Sequence, residues 1–385
     1  AVKAMALGGS SEALMNIDNM SRKFKNKQVR AAAGESLANA ADALGITTEE
    51  LADKIVPDLG FDKNLCREFD YGSRQFKVYI TPSLELECFN GDKKIKTLPK
   101  PGANDDEAKA NAALADFKEM KKQLKNVITA QRARLEYVLM CDRKWTAEKW
   151  NELFVDNAVM HCFAIGLIWG VYENGRLGTT FRYMDDGSFT TSDGEEFTIP
   201  EGAQIGLIHP IELTKEQIAE WSEQLEDFEI TQPFDQLKRP VFLPTAEELE
   251  ANTLSRFDGV ELNSLTLVNK MTKLGWYKGY AEDAGFFYYF YRDDFSKRTK
   301  NPDGTVSQEG FGVLLTFSGA SVVVYDFEGE EVTTEKLIFC KAGSNIGYYD
   351  KDQKGWLKIS EVSDRYFSEI VMQLSAVLAP KEKEE

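Results

Sequence analysis

The densest string of chemically capable side chains in this sequence is QPFDQLKR at 232–239. Gln232 and Gln236 supply amides, Asp235 a carboxylate, Phe234 a ring and Arg239 a guanidinium, on a loop stiffened by Pro233. A stiff polar loop has little ordering entropy left to lose on binding, so it is a candidate ligand surface. The same amides and guanidinium could equally staple the loop to neighbouring backbone. His209 ends an apolar run just upstream and is a candidate general base, set against the commoner role of a hydrogen-bonded structural imidazole. Asp105-Asp106 and Asp185-Asp186 read as a helix cap and a hairpin turn rather than paired catalytic acids.

A second motif-like string is DKDQKGWLKISE at 350–361, with carboxylates at loop positions 1, 3 and 12 of a calcium loop and Gly355 at position 6. Lys354 and Lys358 stand where ligands are needed, and no entering helix precedes the string, so a β-turn leading to a strand is the better reading. Phosphate-binding GxxxxGK[ST], a GxGxxG after a strand, HExxH and GxSxG are all missing. With only His161 and His209, a multi-histidine metal site cannot be built. No cofactor is expected, and no catalytic signature points to an enzyme.

The elements that must hold these residues read as an α+β fold: a helical start like HEAT repeats, then mixed helices and antiparallel β-meanders. Residues 1–60 carry candidate helices at 11–24 and 28–44, the second with Ala33, Leu37, Ala40, Ala41 and Leu44 on one side. Residues 61–165 form a hairpin unit with alternating Phe76, Val78, Ile80 and Leu84, Leu86, Cys88, turned at Asn90-Gly91. A long helix from Asp106 to about Arg143 and another opened by Thr146 follow. Residues 166–261 are a meander over 168–208, an acidic helix boxed by Thr214 and Gln217, and the polar loop. Residues 262–385 carry a helix at 262–274, strands at 286–291, 312–317 and 321–327, and a final helix at 363–378.

Lys plus Arg number 46 against 63 Asp plus Glu in 385 residues, a net charge of −17. Nearly all of the excess falls in 185–261, which nets −15, while 1–184 nets +2. A generic nucleic-acid backbone binder needs a positive surface, so that class is excluded for the acidic block though not for the near-neutral first half. The block is either a solvated face or a dock for a basic partner. Five scattered cysteines without a CxxC pair read as reduced and mostly buried, and no apolar run is long enough for a bilayer. The cytoplasm is the expected compartment, and a start at Ala1 in helix-like sequence is expected of a piece of a longer protein.

Several strings together resemble one family: ELADKIVPDLG (50–60), DYGSR (70–74), LPKP (98–101) with Asp105-Asp106, QRARLE (131–136), LIWG (167–170), IHPIE (208–212), QPFDQLKR (232–239), LGW (274–276) and FSEI (367–370). In this order they look like the C-terminal region of MolR-like proteins, named for molybdate metabolism regulation and otherwise classed as domain of unknown function 4132. Asn157-Ala158 departs from the His-Pro pair expected there. The resemblance implies a bacterial cytoplasmic protein with helical repeats upstream, working with a MoxR-type AAA+ ATPase and a von Willebrand A-domain protein. It implies no established activity. The expectation is an interaction or scaffold module binding other proteins and no membrane; the competing one is an enzyme or small-molecule sensor with a pocket around His209 and the 232–239 loop.

Overall fold

The computed structural model describes residues 11–23, 27–281, 285–300, 305–321, 329–344 and 355–378. It is α+β, with antiparallel sheets and helices. Two compact units divide it, one built on Glu50–Arg239 and one on Asn16–Glu49 with the chain from Pro240 onward.

The helical start contains α1 (Ser11–Lys23), α2 (Lys27–Leu44) and α3 (Thr48–Lys54). Ala33, Leu37 and Ala41 are buried as their spacing requires, but Leu44 is 62% exposed. It is the last helical residue, and the left-handed Gly45 turns the chain away there.

In the Glu50–Arg239 unit, β1 (Cys66–Asp70), β2 (Gln75–Ile80), β3 (Leu86–Asn90) and β4 (Lys93–Ile95) pair in chain order. Phe76, Val78 and Ile80 are buried, as alternation demands. Leu84 is not part of the strand pattern; it sits at φ +63 in a turn whose amide donates to the Thr81 carbonyl. The family-like strings here form one corner. Tyr71 donates to the Pro99 carbonyl at 2.8 Å, and Arg74 grips Asp105 with two hydrogen bonds of 3.0 and 2.8 Å. Asp105 therefore holds an arginine, while Asp106 alone caps the helix by accepting from the Lys109 amide.

That helix, α4 (Glu107–Cys141), has 35 residues and lays Phe117 edge-on to Phe69 of β1 at 5.6 Å. It ends at Asp142, which adopts the left-handed conformation. After the edge strand β5 (Lys144–Thr146), Thr146 caps α5 (Ala147–Phe154), and Asn157 caps α6 (Ala158–Ile165). Asn157, where a His-Pro pair was expected with Ala158, accepts from the Val159 and Met160 amides and donates to the Val56 carbonyl.

The second sheet corrects the meander expectation. β6 (Ile168–Glu173), β7 (Arg176–Tyr183) and β8 (Phe189–Thr190) run as hairpins, but β9 (Gln204–Leu207) returns to pair with β6 on its other side, giving the order β5-β9-β6-β7-β8. The reason is local. Gly170 and Gly206 face each other in register, and a Cβ on Gly170 would lie 2.4 Å from Ile208 Cδ1. Two glycines let bulky side chains cross the strand pair, and a strand with Ile205 and Leu207 buried belongs inside a sheet. One face of the sheet packs Trp169, Phe181 and Tyr183 against Trp150 at 5.2–5.8 Å. The other carries Ile168, Tyr172 and Ile208 under Trp221 and Leu225 of α7 (Lys215–Asp227).

In the other unit, α8 (Ala246–Glu250) is boxed by Thr245 and Glu248. Leu262 lies in β10 (Glu261–Asn263), so the next helix, α9 (Ser264–Lys273), starts two residues later than its apolar pattern suggests, at the Asn263 cap. The sheet runs β10-β14-β13-β12-β11, with β11 at Tyr277–Lys278, β12 at Phe286–Lys300, β13 at Val306–Ser321 and β14 at Glu331–Lys341. β14 was not anticipated, because its first half is mostly polar. The strand expected at 321–327 lies, after its first residue, outside the described residues. α10 (Asp364–Leu378) is the last described element. The strings LGW and FSEI serve packing here: Arg292 donates to the Leu274 carbonyl at 3.1 Å, and Ser368 accepts from the Phe242 amide at 2.9 Å.

Candidate functional site

The expected site residues all fall in the Glu50–Arg239 unit, at the end of the β6–β9 pair. Gln236 is fully buried. Its Oε1 accepts from the Ile168 amide at 2.9 Å and from Gln232 Nε2 at 3.0 Å. Its Nε2 donates to the Ile168 and Ile208 carbonyls, both at 2.8 Å. Two donors and two acceptor sites are the whole capacity of an amide, so this side chain is saturated. It does in the interior what a further strand would do, satisfying backbone groups where β6 and β9 begin and end.

Gln232 performs the neighbouring task, donating to the Gly166 carbonyl at 3.2 Å and accepting from the Leu237 amide at 3.1 Å. Pro233 approaches Gly166 so closely that a Cβ there would sit 2.9 Å from its Cδ. Phe234 is buried, and Arg239 Nη1 donates to the Asp235 carbonyl at 2.7 Å, with Glu136 at 3.6 Å. Asp235 is exposed through its side chain. The loop is thus fastened to the sheet by the groups that made it look like a ligand surface.

His209 is fully buried. Its Nδ1 accepts from the Ile211 amide at 3.1 Å, capping a single 3-10 turn at Pro210–Glu212. Because an amide can only donate, Nδ1 is the accepting nitrogen of this contact. Glu212 completes the box by accepting from the His209 amide at 3.2 Å and from the Tyr172 hydroxyl at 2.9 Å. The structure therefore brings His209, Gln232 and Gln236 together, but around strand ends. The hydrogen bonds of His209 and Gln236 point inward.

A second polar centre joins residues that the sequence scattered. Asp53 of α3 accepts from Arg134 of α4, from Arg143 Nη2 at 2.5 Å and from Trp145 Nε1 at 3.0 Å. Arg134, 2% exposed, also donates to Gln131 at 2.8 Å. The strings at 50–60 and 131–136 meet here, one supplying the carboxylate and the other the guanidinium.

His161 meets the Tyr183 hydroxyl at 3.3 Å, and burial pushes its imidazole below the usual range. The calcium-like string is described only in its second half. Residues 350–354 lie outside the described residues, and Glu361 accepts from the Lys358 amide at 2.8 Å while Lys358 pairs with Glu250. Among the described residues no group of three His, Cys, Asp or Glu could hold a metal ion.

The outer side of α7 faces water. Glu216, Glu220, Glu223, Glu226 and Asp227 are exposed, and Phe228 at its end is 53% exposed. The inner side holds a residue that sequence reasoning missed, Arg182 of β7, only 1% exposed. Its signal was a charged residue inside an apolar strand; the aromatic Phe181 and Tyr183 drew the core to the opposite face.

Among the described residues no helix is long and apolar enough to cross a membrane. No solved structure matches the chain. An uncharacterized protein of Escherichia coli strain K12, YehI, is 35% identical over 284 residues, 73% of this chain but 23% of that relative. Residues 92–276, from the β3–β4 turn to just past α9, match the family described as Domain of unknown function (DUF4132).

Proposed function

We propose that this chain is an interaction module of a MolR-like bacterial cytoplasmic system, preceded by helical repeats and acting with a MoxR-type AAA+ ATPase and a von Willebrand A-domain protein. One observation carries the reading. The amides of Gln232 and Gln236 and the His209 ring are taken up in holding backbone at the strand ends, whereas the carboxylates of α7 are spread along one solvent-facing side of a well-capped helix. Carboxylates at 216, 220, 223 and 226 follow three- and four-residue steps, so they form a stripe. Such a stripe steers and orients a basic partner more than it adds raw affinity. Co-expression of the chain with the ATPase and the A-domain protein from its own genome tests the proposal. Recovery of a defined complex by size exclusion is expected. Elution of the chain alone, with both candidates present and folded, contradicts it.

A further inference from the structure

Arg182 is a buried charge whose only hydrogen-bonded side chain among the described residues is a neutral amide. Its Nε donates to Gln224 Oε1 at 2.8 Å, and Gln224 is itself oriented by donating to the Thr191 carbonyl at 2.9 Å. Nη2 is buried and has no hydrogen-bond partner. Asp185 reaches the guanidinium only through its field, and burial pushes the arginine below its ordinary range. Leaving a charged donor desolvated and unmet costs several kcal/mol in general, so the surroundings are built at the expense of stability.

Three sides of Arg182 are formed by sheet and helix interior and the fourth by a half-exposed ring. Arg182 lies in register with Ile168 and Thr190, while Trp221 and Gln224 of α7 sit over Thr180 and Arg182. The fourth side is the ring of Phe228, 4.5 Å from the guanidinium carbon. Phe228 caps the C-terminus of α7 in a non-helical conformation, is followed by Glu229 at φ +53, and leaves half its surface in water. A single side-chain rotation at a helix end would uncover the guanidinium without disturbing Trp221 or Gln224.

We propose that Arg182 anchors a binding site for a small monocarboxylate, entered when the Phe228 ring swings aside. A planar guanidinium presents paired N–H groups that match a carboxylate. The chemical class follows from charge. The 185–261 block nets −15, and repulsion from it doubles for a dianion, so a singly charged carboxylate is favoured over phosphate. The site lies beneath the helix whose outer face carries the docking proposal and does not depend on it.

Titration of the full chain with acetate, benzoate or phosphate at constant ionic strength, read by tryptophan fluorescence and by melting temperature, tests this site. Saturable binding of both carboxylates is expected, weakened about tenfold or more in R182Q and in R182K, which keeps the charge but loses the fork. F228A, which removes the cover and keeps the anchor, is expected to bind more tightly than the parent. Equal carboxylate affinity in R182K and the parent overturns the anchor. So does absence of any saturable response, or phosphate binding more tightly than acetate. F228A binding no better than the parent overturns the entry route.

Discussion

Gln236 shows how a residue that looks functional in sequence can be spent on architecture. Three of its amide's four hydrogen bonds go to backbone at the start of β6 and just past β9, and the fourth joins Gln232. Gln236→Ala would leave the buried Ile168 amide and Ile208 carbonyl without a partner, so a loss of about 2–4 kcal/mol is expected in chemical denaturation. Asp53 works similarly. Asp53→Asn leaves two guanidiniums against a neutral amide, and a loss of about 3–5 kcal/mol is expected from breaking a buried ion cluster. Glu248 provides a pH signature. Its hydrogen bonds from Arg256 hold its carboxyl down at about 2, against an ordinary 4.5. A depressed folded value stabilises above the unfolded value and loses that contribution as pH falls through the folded one. Denaturation of E248Q beside the parent should show a deficit that is full above about pH 4.5 and vanishes toward pH 2. A deficit independent of pH would show that the Arg256 pair is not its source.

At the scale of elements, caps and turns were legible because they are local chemistry. Asp106, Thr146, Thr214 and Thr245 all cap the helices their spacing announced. Pairing order was not legible, because nothing near β9 states that its partner is β6 across more than thirty residues. The retrospective clue is the pair Gly170 and Gly206. Gly170→Ala would press its Cβ against Ile208 and Leu177, and overpacking of about 1–3 kcal/mol is expected, measurable as a lowered melting temperature. The candidate site was half legible for the same reason. Its residues were identified by type and spacing, but the backbone groups that consume them belong to strands far away in sequence. Arg182 escaped because both faces of β7 are buried over Thr180–Tyr183, so alternation could not say which face holds the charge.

At the scale of the whole molecule, the net charge of −17 acquires a location. The acids of α7 face water above a tightly fixed inner side of Trp221, Gln224 and Leu225. A face that is rigid from within and charged without suits an electrostatic dock, whose affinity falls with added salt. The match to the Escherichia coli relative spans 23% of that protein's length. The most direct test of docking through α7 is the affinity of the chain for the MoxR-type ATPase and the A-domain protein at rising salt, with Glu216, Glu220, Glu223 and Glu226 intact or reversed to lysine. Binding by the parent that weakens with salt and drops about tenfold or more on reversal, with the fold retained, is the predicted result. Binding unchanged by the reversal, or none by the parent at low salt, would contradict it.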